Sequence, residues 1–194
     1  MTDASLLSDK TALRARMRKV RGACAQAPGA AEAAAQHAPL DLLAGFAVAA
    51  GYVALGSELS PLPLLRRLGD RGAAMCLPVA KDRQSPLTFR RWSPGDDLPA
   101  DAFGIPSPGP DKDELFPSLV ITPLLAFDRR GGRLGQGAGH YDRTIEALRR
   151  RGPVFVLGFG YAGQEIPEAP LEAHDQPLDG VLTENGYIAV NKAI

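Results

Sequence analysis

An apolar run, Leu119-Val120-Ile121-Thr122-Pro123-Leu124-Leu125-Ala126-Phe127, is followed by Gly132-Arg133-Leu134-Gly135-Gln136-Gly137-Ala138-Gly139-His140-Tyr141-Asp142 and then by the helical pattern Ile145-Glu146-Ala147-Leu148-Arg149-Arg150-Arg151. Strand, glycine loop and helix in that order is how a backbone presents several N–H groups to a phosphate. Glycine serves where the loop must visit positive φ and where an anion approaches the main chain. The same connection also suits a tight turn with no ligand. Neither common nucleotide signature fits. A Walker loop ends in Gly-Lys-Ser/Thr, and the dinucleotide fingerprint needs a third glycine where Tyr141 and Asp142 follow Gly139.

The rest of the chain alternates in the same manner. Ser8 is a candidate N-cap for a helix over residues 9–24, in which Leu13, Met17, Val20 and Cys24 repeat at helical spacing and face a core. An alanine-rich helix over 30–38 lies between Pro28 and Pro39. Strands are predicted over 46–55, 73–79, 87–92, 119–125 and 154–161, with a final pair around Val181 and over 187–190. Helices are predicted over 62–68 and 141–151. This alternation predicts the α/β class: one three-layer α/β/α domain with a largely parallel sheet covered on both faces. Residues 93–115, with five prolines, and 164–177, with three, read as surface connections.

Length is enough for one sizeable core and short for two, so residues 1–194 are expected to form a single domain. Zero formal net charge, with a pI near 6.8, offers no basis for a nucleic-acid or membrane surface. The apolar run over 42–55 is too short to span a bilayer. Cys24 and Cys76 are expected to be buried thiols. With no signal peptide recognised, they point to a reducing, cytoplasmic setting. The chain is expected to act as a monomer.

Several charged residues stand out. Lys10, Arg14, Arg18 and Arg21 form one basic stripe, although like charges at i,i+4 destabilise an isolated helix by about 0.2–0.5 kcal/mol per pair. A solvated face is the plain reading of such a stripe. Arg133 stands on the strand side of the loop, where a guanidinium could bridge two phosphate oxygens. Asp142 could be a metal ligand or an acid favoured in a first helical turn. Glu58, in Leu55-Gly56-Ser57-Glu58-Leu59, reads alone as an acid at a helix start. Nothing resembles a nucleophilic triad, a zinc site or a glycosidase pair, and His37 has no partner at ligand spacing.

Gly-x-Arg-Leu-Gly-x-Gly-x-Gly-x-Tyr-Asp-Arg resembles the signature of the 5-formyltetrahydrofolate cyclo-ligase (5,10-methenyltetrahydrofolate synthetase) family. The likeness runs over nearly the whole chain through Lys10 and Arg14, Gly56-Ser57-Glu58-Leu59, and the late pair His174-Asp175. The resemblance implies an ATP- and Mg2+-dependent ligase of folate metabolism, with 5-formyltetrahydrofolate as the other substrate. It implies that Lys10 and Arg14 contact the ATP phosphates and that Arg133, Leu134, Gly135, Gln136, Gly137, Ala138, Gly139, His140 and Tyr141 bind ATP. Lys10 and Arg133 would act catalytically. It also implies that Val53, Glu58 and residues Gln136, Gly137, Ala138, Gly139 and His140 lie against the folate, and that Asp142 and Asp175 hold magnesium. Asp179 is the nearby alternative to Asp175, while Arg18 and Arg21 read as surface.

Two positions depart from the family pattern. Ala138 stands where some relatives have lysine, and His140 where tyrosine is usual. His140 could stack on the pterin, hydrogen-bond to it, or serve as an exposed loop residue. The implied chemistry draws both nucleophiles from the substrate, the formyl oxygen and then N10, so the protein supplies positioning and charge stabilisation. A non-catalytic folate- or nucleotide-binding module is a second reading. A sugar-phosphate isomerase or CoA-transferase relative is a third, without a candidate base in context.

Overall fold

The computed structural model describes residues 3–190. Among these, an eight-stranded sheet runs in the order β10-β9-β8-β5-β1-β2-β3-β4. The strands are β1 (Val48–Ala50), β2 (Ala74–Val79), β3 (Thr88–Arg91), β4 (Glu114–Leu115), β5 (Leu119–Pro123), β8 (Phe155–Phe159), β9 (Gly180–Thr183) and β10 (Gly186–Ala189). The pairs from β9 to β2 are parallel, and antiparallel strands flank them on both sides. A short ribbon, β6 (Ala126–Phe127) with β7 (Arg133–Leu134), stands apart.

β5 explains why the centre is parallel. Leu119, Val120 and Ile121 are fully buried, because helices cover both faces and no strand side is left for polar residues. Alternate side chains go to opposite faces. Leu119, Ile121 and Leu157 join Leu64, Leu65 and Leu68 of α4 (Leu62–Gly69) and Ala34 and Ala35 of α2 (Ala30–Gln36). Val120 and Val156 point the other way, toward Leu148 and Ile145 of α5 (His140–Arg149). The result is the three-layer α/β/α arrangement expected.

The elements are trimmed relative to the sequence reading. Only Val48–Ala50 of residues 46–55 pairs as a strand, since the chain leaves the sheet at Gly51 to form the site. α1 (Asp3–Cys24) begins well before Ser8, which therefore lies inside the helix and not at its cap. The proline-rich segment 93–115 is less superficial than predicted: it contributes β4, and Ser107 is buried.

The apolar stripe of α1 packs as predicted. Met17 is buried among Leu125, Ala126, Leu134, Ile166 and Ala169, with Leu13 and Val20 beside it. This fixes α1 along the β6–β7 ribbon, over the C-terminal ends of the parallel strands. Cys76 is buried, but Cys24 is only partly so, correcting the expectation of two buried thiols. No helix among the described residues is long and apolar enough to cross a membrane.

Candidate active site

From β1 the chain crosses to β2 on one side, and β5 is added later on the other. Open α/β sheets bind ligands outside the strand carboxyl ends at such a reversal. A cavity of about 270 Å³ lies there. Tyr52, Val53 and Glu58 after β1 line it, with Pro123 and Leu124 at the end of β5 and the glycine loop Gln136 to Asp142. Arg21, Phe103 and Ile105 close other sides.

The glycine loop is held by specific backbone and side-chain chemistry. Gly137 has φ 105 and Gly139, which precedes α5, has φ 68, conformations that L side chains avoid. A Cβ at Gly137 would sit 3.3 Å from the Arg14 guanidinium carbon. Arg14 donates from Nε to the Gly135 carbonyl at 3.1 Å, and exposed Arg18 donates to Gln136 Oε1 at 3.1 Å. The first helix thus lies against the loop, as the basic stripe requires if it serves the site.

Charges in the site are arranged in pairs. Arg133, buried on β7, donates from Nη2 to Asp142 Oδ1 at 2.6 Å and from Nη1 to Thr122 Oγ1 at 3.1 Å. Its Nε is buried without a partner. Lys10 is buried and donates to Glu172 at 2.7 Å and Asp175 at 3.3 Å. The Asp142 carboxylate also accepts the Gln176 N–H at 3.1 Å, which brings the Arg133 and Lys10 pairs together. Asp179 is engaged elsewhere, accepting from Val156 N and Arg149 Nη2. Among the described residues no group of three or more His, Cys, Asp or Glu is arranged to hold a metal.

The opposite wall carries Glu58. Its Oε1 lies 3.2 Å from Arg21 Nη1, and its Oε2 accepts the Leu55 N–H at 3.0 Å. Arg21 is 7% exposed and also donates to Ser57 Oγ at 3.1 Å. The expectation of a surface arginine is therefore wrong for Arg21, though right for Arg18. Lys10, Arg14, Met17 and Arg21 recur at i, i+4, i+7 and i+11, which puts Arg21 on the buried seam with Met17. That spacing is the signal in the sequence that marks Arg21 for burial. Tyr52, whose hydroxyl donates to the Leu59 carbonyl, lines the same wall. Burial, then the nearby Glu58 charge, raises the phenols of Tyr52 and Tyr141 well above their ordinary range.

His140 faces the 82–87 turn. Its Nε2 meets the Asp82 carbonyl at 3.0 Å, and its ring lies 6.1 Å from the Phe103 ring in a tilted arrangement. Two neighbours on α5 bind the same turn: Arg143 donates to the Arg83 carbonyl at 2.7 Å, and Thr144 Oγ1 accepts the Leu87 N–H at 2.8 Å. His140 thus holds the cavity wall while its ring lines the cavity.

A switch-point cavity walled by a glycine loop, with paired cations and carboxylates beside it, defines an α/β enzyme acting on charged small molecules. The model of the 5-formyltetrahydrofolate cyclo-ligase family matches residues 7–184, and the chain belongs to that family. It is 34% identical to the 5-formyltetrahydrofolate cyclo-ligase of Mycolicibacterium smegmatis, over 72% of this chain and 75% of that one. Identity to the Escherichia coli K12 cyclo-ligase is 31%, covering 68% and 75%. The fold matches the solved Aquifex aeolicus 5,10-methenyltetrahydrofolate synthetase with a TM-score of 0.74 at 25% identity, over 95% of this chain and 94% of that one. The chain is accordingly an enzyme of the cyclo-ligase kind.

Proposed function

We propose that the enzyme closes the ring of 5-formyltetrahydrofolate to 5,10-methenyltetrahydrofolate at the expense of ATP, giving ADP and phosphate. The observation that carries this reading is the alternation of charges, Lys10 with Asp175 and Arg133 with Asp142, joined through Gln176. Incoming phosphates would take over the two cations, and the freed carboxylates would face a divalent ion.

The residues fit magnesium. Asp142 and Asp175 are hard oxygen donors, two in number, and magnesium keeps its remaining places for water and phosphate oxygens. Bound there, the ion would neutralise charge on the phosphoryl group being transferred. Asp179 is the poorer candidate because its carboxylate already fastens β8 and α5.

The chain's own groups do the rest. Loop residues Gly135 to Gly139 let the triphosphate approach the main chain, with Arg14 held against them. Arg133 has a buried Nε without a partner, leaving a donor for an oxyanion. Glu58 and Val53 hold the pterin, Glu58 by accepting N–H donors and Val53 by packing. The formyl oxygen attacks the γ-phosphorus and the bond to ADP breaks. N10 then adds to the formyl carbon, loses its proton, and the C–O bond breaks to release phosphate.

Cys24 and Cys76, both free, suit a reducing, cytoplasmic setting. The direct test is incubation with 5-formyltetrahydrofolate, ATP and magnesium, following the methenyl product by absorbance. Product formation that requires all three is the expected result; no product, with both ligands bound, would favour a non-catalytic binding module.

A further inference from the structure

We infer that Arg21 is a positioning residue of the folate wall, which sets the direction of the Glu58 carboxylate. The inference rests on the reading of Glu58 as a folate-binding residue. A guanidinium on the first helix of the chain is buried to 7% exposure, in a wall of the cavity, and has two neighbouring partners: Ser57 Oγ and Glu58 Oε1. With the Leu55 N–H on Oε2, each Glu58 oxygen then accepts one internal hydrogen bond. A carboxylate fixed at both oxygens retains one acceptor direction on each, a two-point face for adjacent ligand donors. Without Arg21 the half-buried carboxylate would lose its cationic partner and be held at Oε2 alone, by the Leu55 N–H.

The arrangement also links the two ends of the site. α1 presents Lys10 and Arg14 to the glycine-loop side and Arg21 to the Glu58 side. One rigid helix therefore sets the spacing between the groups serving each substrate. Arg21 donates from Nη1 to Glu58 and from Nε to Ser57, the contacts through which it would direct the folate wall.

The test is a double-mutant cycle on the full-length enzyme: R21Q, E58Q and the double variant. It measures 5-formyltetrahydrofolate binding by calorimetry and the KM for ATP and kcat separately. R21Q is expected to weaken folate binding about tenfold or more, the scale of a charged hydrogen bond. The KM for ATP should stay near the parent value, and the double variant should bind folate no more weakly than E58Q alone. R21K, which keeps the charge but not the fork, should recover part of the loss. Independent, multiplicative losses from R21Q and E58Q would overturn the inference, as would parental folate binding by R21Q. An E58Q enzyme that binds folate normally would overturn the Glu58 reading and this inference together. If R21Q does not fold, S57A and R21K carry the test: unchanged folate binding in both overturns it.

Discussion

Arg133 Nη2 and Asp142 Oδ1 lie 2.6 Å apart, the two ends of the glycine loop tied by one charge-assisted hydrogen bond. The loop is therefore closed at its base while Gln136 to Gly139 line the cavity. In the proposed reading this pair sets a cation for phosphate beside a carboxylate for magnesium.

Replacing Asp142 with Asn should accordingly do two things. Removal of the charge frees Arg133, with a stability loss of about 1–3 kcal/mol for a partly buried charged bond. Activity should fall at least about tenfold and require more magnesium, since one anionic ligand is lost. A magnesium titration of turnover beside a thermal melt checks both; a parental magnesium curve would remove Asp142 from the metal site.

The basic stripe of α1 divides at Arg18. Lys10→Gln and Arg14→Gln should each raise the KM for ATP by about tenfold or more, the scale of one charged contact. Arg16→Gln, at an exposed position, is the control and should change neither constant. Equal behaviour of all three in steady-state kinetics would reduce the stripe to a solvated face.

Gly137→Ala should slow the reaction without loss of the fold. Its φ of 105 strains any L side chain, by about 1–3 kcal/mol, and the new methyl meets the Arg14 guanidinium. A raised KM for ATP with near-parental circular dichroism is expected. Unchanged kinetics would mean that this stretch of loop does not approach the nucleotide.

Thiol chemistry separates the two cysteines. Burial pushes the Cys76 thiol up to about 12, and burial with the Glu184 charge raises Cys24 less far. A raised thiol pKa withholds the thiolate until pH climbs toward that value, so native Cys76 should resist alkylation up to about pH 10. Cys24, partly exposed, should react first, and mass spectrometry of tryptic peptides reads the order. Equal modification of both in the native enzyme would contradict the burial of Cys76.

The central sheet was legible because buried parallel strands are written as continuous apolar runs, as in Leu119 to Ile121. The glycine loop was legible because positive φ demands glycine. What escaped were features made by distant residues meeting. Arg21 and Glu58 are joined only when α1 crosses the end of β1. The wall from the 82–87 turn exists because His140, Arg143 and Thr144 reach across to it. A basic residue in a helix carries no mark of which face will be buried, except its phase relative to Met17.

In the proposed reaction the formyl oxygen of the substrate becomes an oxygen of the released phosphate. Single-turnover reaction of 5-formyltetrahydrofolate labelled with oxygen-18 in the formyl group, with mass analysis of the phosphate, measures this directly. Phosphoryl activation in this cavity predicts one labelled oxygen in each inorganic phosphate formed. Unlabelled phosphate, with the heavy oxygen recovered in water, would contradict it.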